Sequence, residues 1–108
     1  MVWIVETWGK AVDVEIEALP VDVRARLRKY REGIELYGPA ALPPKHSKYM
    51  GDSLWELRLT GRDGIARVLY VTAHANRVIL LRAFVKKTQK TPAREIELAL
   101  QRLRTLQI

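Results

Sequence analysis

Apolar and polar residues alternate strictly from Leu54 onward. Trp55, Leu57 and Leu59 fall on one side and Glu56, Arg58 and Thr60 on the other, the period of a half-buried strand. Gly61-Arg62-Asp63-Gly64 follows, with glycine where a tight hairpin turn wants positive φ. Ile65 to Thr72 reads as a second strand, Ala73-His74-Ala75-Asn76 as a second turn, and Val78 to Lys86 as a third strand. Consecutive tight turns make the three an antiparallel meander.

Elsewhere the period changes. Val2-Trp3-Ile4-Val5 is β-branched and aromatic, a short N-terminal strand. Lys10 to Leu19 mixes Val14, Ile16 and Leu19 with Asp13, Glu15 and Glu17 and is expected to be a short helix. Pro20 suits a first helical position and Asp22 its first turn. Val23, Leu27, Tyr30, Ile34 and Tyr37 then recur at steps of four and three, one apolar stripe of a second helix. Its opposite face, with Arg24, Arg28, Arg31 and Glu35, reads as solvated surface. Gly38-Pro39 ends the helix. The stretch from Pro39 to Met50 holds three prolines and is expected to be a loop, made basic by Lys45, His46 and Lys48. Thr91 is placed as the N-cap of a last helix, with Pro92 in its first turn and Ile96, Ala99, Leu100, Leu103 and Leu106 on its apolar face. The expected architecture is α+β. A small antiparallel sheet (the meander plus the N-terminal strand) carries a helical hairpin before it and a helix after it, packed on one sheet face.

Composition narrows the class. The 108 residues suffice for one domain, 1–108, around one core. There is no cysteine, hence no disulfide framework and no thiolate metal site. The opening MVWIVETW has no basic start and no long apolar run, so it is not read as a signal peptide, and a soluble, cytoplasmic protein without membrane contact is expected. The formal charge is +7, and residues 44–90 alone carry ten Lys/Arg against three Asp/Glu. A charge concentrated this way makes a local potential suited to a polyanion.

Arginines inside strands need a reason. Arg67 lies between Ala66 and Val68, and Arg82 between Leu81 and Ala83. A buried, unpaired guanidinium is costly, so each must face water, pair with a carboxylate or meet a ligand. Glu56 is the one acid on these strands, so Arg58, Arg67 and Arg82 cannot all pair with it. At least one is expected to face an open surface beside Lys86, Lys87 and Lys90, an arrangement that suits phosphate.

The runs LWELR, GIARVLYV and LLRAFVKKTQKTP before a helix, with the helical hairpin and the basic proline loop, resemble the RelE/ParE superfamily of type II toxin–antitoxin toxins, in particular its HigB-like, phage-derived branch. The resemblance covers nearly the whole chain. It implies a RelE-like fold, cleavage of mRNA on the ribosome, and neutralisation by a small antitoxin, commonly of helix-turn-helix type. The family's basic positions fall here on Glu56 and Arg58, on Arg67, and on Lys86 or Lys87. Glu56 stands where the best-known relatives have lysine, and Thr91-Pro92 where a tyrosine would begin the last helix.

The implied chemistry needs no metal or cofactor. A base takes the proton of a ribose 2′-hydroxyl, that oxygen attacks the adjacent phosphate, and an acid protonates the leaving 5′-oxygen. Arg67 is the expected stabiliser of charge on phosphorus, with Arg82 and Arg58 in support. Glu56 is the candidate base and Lys87 the candidate acid, with His46 as the other candidate for proton transfer. Lys45, His46, Lys48, Lys86 and Lys90 are expected to bind RNA. His74, in a turn, is read as uninvolved. Two alternatives stand beside the nuclease: a ParE-like inhibitor of DNA gyrase, and a non-catalytic RNA- or protein-binding module of the same fold.

Overall fold

The computed structural model describes residues 2–86 and 90–106, without the side chain of Lys86. In chain order they form β1 (Ile4–Thr7), α1 (Lys10–Glu17), α2 (Val21–Tyr37), β2 (Ser47–Gly51), β3 (Leu54–Gly61), β4 (Gly64–Ala73), β5 (Arg77–Lys86) and α3 (Ala93–Arg104). The sheet has five strands in the order β1-β5-β4-β3-β2. The meander β3–β5 is antiparallel as its turns require, and β1 adds to β5 in parallel, with Ile4 beside Arg77.

Three expectations are corrected here. The segment from Pro39 to Met50 is not all loop: two single 3₁₀ turns, Pro39–Ala41 and Pro44–His46, precede strand β2, which pairs antiparallel with β3. All three prolines lie before Ser47, so the last residues keep every N–H a strand needs. The helices cover both faces of the sheet, not one. Val12, Leu19, Val23, Leu27 and Ile34 of the hairpin pack with Leu57, Leu59, Val68 and Leu80, whereas Ala99 and the apolar stripe of α3 pack with Leu69, Val71, Ile79 and Leu81. The cause is β4, a nearly unbroken apolar run from Ala66 to Val71 that must be covered twice. Finally, Pro20 precedes α2 as its cap rather than opening its first turn, and Pro92 rather than Thr91 caps α3.

Within α2 the stripe buries Val23, Leu27 and Ile34, each burial worth about 1.5–3 kcal/mol. Tyr37 departs from it and is 75% exposed, while Trp3 packs, partly buried, against the same core. The chain leaves α2 through Gly38 at φ 81° and ψ 180°, a conformation essentially confined to glycine. A Cβ there would stand 2.7 Å from Trp3 Nε1. Gly38→Ala is therefore expected to lower stability by about 1–3 kcal/mol. The check is a lower urea midpoint at unchanged slope.

Candidate RNA-binding face

Register places the charged strand residues. On β3, Glu56 and Arg58 alternate with Leu57 and Leu59 of the hairpin-side core, so they point to the α3 side. Arg58 stands opposite Arg67 on β4, which stands opposite Phe84 on β5. One position along, Lys48 on β2 is opposite Glu56, Glu56 opposite Leu69, and Leu69 opposite Arg82. Lys48, Glu56, Arg58, Arg67 and Arg82 thus share one face of the sheet.

Their environments differ sharply. The side chain of Arg67 is 3% exposed, because β4 is central and covered on both sides; that of Glu56 is 4% exposed. Arg67 Nε lies 3.4 Å from Glu56 Oε1, an ion pair without hydrogen-bond geometry, and Arg67 Nε and Nη1 are both enclosed with no hydrogen-bond partner among the described residues. Glu56 is also held by the Thr91 hydroxyl, which donates to its Oε2. That bond accounts for the displacement of Thr91 from the capping role, and nothing in the spacing of Thr91 announced it. Burial lowers the pKa of Arg67, Glu56 opposes that, and the Arg58 charge adds to it. Each buried donor left unpaired costs about 1–3 kcal/mol. The guanidinium is therefore short of hydrogen-bond acceptors among the described residues. Arg58 and Lys48 are exposed beside it.

Arg82 has the opposite fate. Its Nε donates to Glu95 Oε1 at 2.8 Å, and its Nη1 lies 3.0 Å from Glu15 Oε2. Arg102 grips the same Glu15 (Nη2 to Oε2, 2.8 Å), donates to the Leu81 carbonyl at 2.7 Å, and lies over the Trp8 ring. The Ala83 N–H completes the cluster at Glu15 Oε1, 3.1 Å away. Burial alone would lower the pKa of Arg82; its two carboxylates outweigh that and raise it. Arg82, expected to support the phosphate from an open surface, instead ties β5 to α1 and α3. The count of acids on the strands overlooked those the helices supply. One signal was present, since Glu95, Ala99 and Arg102, spaced four and three, form the buried side of α3.

The other expected residues are dispersed. Lys45 is exposed and His46 half-buried, its Nδ1 enclosed without a hydrogen-bond partner among the described residues, in the 3₁₀ turn before β2. Lys90 is exposed on the approach to α3. Lys86 ends β5 opposite Ile65, but its side chain and all of Lys87 lie outside the described residues. A hollow of about 470 Å³ near Val71, His74, Leu103 and Leu106 contains none of the expected site residues. Among the described residues no three acidic, histidine or cysteine groups are placed to hold a metal ion, and no helix is long and apolar enough to cross a membrane.

Residues 14–104 match the family model described as phage-derived protein Gp49-like. The chain belongs to that family. No curated protein sequence matches this Gp49-like chain. Its fold is RelE-like. It is similar to a doubly substituted mutant of E. coli toxin RelE in the free state, with a TM-score of 0.68 and 15% identity over 95% of this chain and 99% of that one. It is also similar to a chain of the archaeal RelE-RelB complex from Pyrococcus horikoshii, with a TM-score of 0.55 and 22% identity over 81% and 98%.

The Glu15 cluster makes the stability of the Gp49-like chain depend on acid. Burial pushes the Glu15 carboxyl up, but the Arg102 hydrogen bond, the Ala83 N–H and the charges of Arg82 and Arg102 together bring it below its usual 4.5. A depressed carboxylate stabilises the fold fully above 4.5, and that contribution is lost as pH falls through the folded-state value. Glu15→Gln should cost about 1–3 kcal/mol at neutral pH and flatten the fall in stability between about pH 5 and 3. Urea midpoints of both proteins across that range are the check.

Proposed function

We propose that this Gp49-like protein is the toxin of a type II toxin–antitoxin pair, an endoribonuclease that cleaves mRNA on the ribosome without a metal or cofactor and is held in check by a helix-turn-helix antitoxin. The observation that carries the reading is Arg67, a guanidinium enclosed in the sheet with two nitrogens that make no hydrogen bond among the described residues, beside exposed Arg58 and Lys48. Family membership supports it, as does the excess of positive charge between residues 44 and 90.

In this reading the phosphate meets Arg58 and Lys48 first and is then shared with Arg67, which exchanges part of its contact with Glu56 for the anion. Glu56, released on that side, takes the 2′-hydroxyl proton. The 2′-oxygen bonds to phosphorus, the bond to the 5′-oxygen breaks, and Lys87 protonates the leaving oxygen. Products are a 2′,3′-cyclic phosphate and a free 5′-hydroxyl. Arg67 and Arg58 stabilise the extra negative charge on phosphorus. Arg82 acts from behind, orienting β5 through Glu15 and Glu95.

Arg67→Ala is expected to cut ribosome-bound mRNA cleavage about 10²–10³-fold, the usual loss for one preorganised donor. It should abolish growth arrest on induction while antitoxin binding and the circular dichroism spectrum are kept. Mapped transcript ends are the readout. DNA breaks with intact transcripts would assign a gyrase inhibitor instead. Growth arrest with both intact would assign a non-catalytic binder.

A further inference from the structure

Three aromatic side chains cross the sheet in a row, on the face turned away from Arg67. Tyr49 on β2 stands opposite Trp55 on β3, and Trp55 opposite Tyr70 on β4. Trp55 packs, partly buried, against the hairpin-side core, so the row lies on that side. The ring centroids of Tyr49 and Trp55 are 5.1 Å apart with planes at 58°, and those of Trp55 and Tyr70 are 6.4 Å apart at 22°. Cross-strand pairs of this kind stabilise a sheet by themselves, and the inner end of the row needs no other explanation. Tyr70 is 3% exposed, and its hydroxyl shares a hydrogen bond of 2.8 Å with Ser47 Oγ.

The outer end is different. Tyr49 is 53% exposed, on the outermost strand of the sheet. Its hydroxyl accepts the Ser53 N–H at 3.1 Å, and with Trp55 against the ring this holds the side chain in one orientation. A ring fixed beforehand loses little conformational entropy when a ligand stacks on it. The surroundings are basic. Between Gly38 and Trp55 the chain has Lys45, His46 and Lys48 against a single acid, Asp52. Lys45 and Lys48 are both exposed. Lys45 belongs to the 3₁₀ turn that packs against β2 and β3, and Lys48 precedes Tyr49 in the chain but points to the Arg67 face. A flat ring flanked by ammonium groups suits a ligand that carries a planar base beside a phosphate. A proline-rich peptide would also lie on the ring, but it has no use for the lysines.

We infer that Tyr49, backed by Trp55, is a stacking site for one unpaired RNA base, with Lys48 on the phosphate beside it. The inference rests on the nuclease reading for the identity of the ligand. β2 lies two strand spacings from β4, about 10 Å, so the stacked base belongs to a nucleotide along the strand from the phosphate that Arg67 meets. The RNA crosses Arg58 and Lys48 on one face, turns over the short edge strand and lays that base on the ring at the other. Stacking accepts every base, so this site adds affinity and fixes where the strand lies, without choosing its sequence.

The test is binding of a short single-stranded RNA by the full chain, with every 2′-hydroxyl methylated so that the attacking oxygen is blocked, and with each base removed in turn. Removal of one particular base should weaken binding about tenfold, within the usual range for a base on an aromatic ring. Tyr49→Ala should cost about as much and make the protein indifferent to that abasic position, whereas Tyr49→Phe keeps both the affinity and the discrimination. Salt dependence should be unchanged in Tyr49→Ala and shallower by about 0.7 in slope in Lys48→Ala, the share of one phosphate on a single strand. No binding, a flat abasic scan, or a scan that Tyr49→Ala leaves unaltered overturns the stacking site. Binding of a proline-rich peptide that Tyr49→Ala abolishes, with RNA affinity untouched, overturns it in favour of a peptide. Transcript cleavage on induction is scored separately: if it persists when the scan is flat, the nuclease reading stands without this site.

Discussion

A guanidinium held inside a strand that is covered on both faces governs this molecule. β4 is apolar from Ala66 to Val71 except at Arg67, and its two apolar faces bring the helical hairpin to one side of the sheet and α3 to the other. In this central strand Arg67 is itself almost wholly removed from water. Glu56 compensates at 3.4 Å without a hydrogen bond, and two nitrogens find no hydrogen-bond acceptor among the described residues. Burial of an imperfectly paired ion costs several kcal/mol. That is a large fraction of the 5–15 kcal/mol by which domains are typically stable.

Arg82, two ladder positions from Arg67 and on the same face, shows what full compensation looks like. Its fork meets carboxylates from two helices, and one of them is shared with Arg102. The network joins the first helix, the fifth strand and the last helix into one polar clamp across the domain, with Trp8 stacked beneath Arg102 and donating to Thr105. Two arginines that look alike in the chain thus differ in kind. One belongs to the frame, and the other is buried with a single imperfect ion pair.

Much of the frame was legible because it rests on short-range rules. The 3.6-residue stripe of α2, the glycines at the β3–β4 turn and the period-two pattern of β3 each act within a few residues, and each element formed where its pattern lay. What escaped depends on distant partners. Strand β2 hides behind prolines because its pairing with β3, not its own composition, makes it a strand. Thr91 resembles an N-cap locally and is claimed instead by Glu56, a residue on another element. The pairing of Arg67 with Glu56 was among the options the strand pattern offered. The capture of Arg82 by Glu15 and Glu95 was not, since it requires knowing that helices cover both faces.

The parallel pairing of β1 with β5 carries a consequence for how the molecule comes into being. Ile4 and its neighbour in the sheet, Arg77, are separated by most of the domain's sequence. Contacts so far apart in the chain are slow to close. Glu15, on the first helix, waits still longer for Arg102. Until α3 has been made, the polar clamp has no last member and β4 lacks its second cover. The second cover of β4 and the last member of the clamp therefore form only once α3 has docked, so a partly folded chain carries these residues well before it has their arrangement.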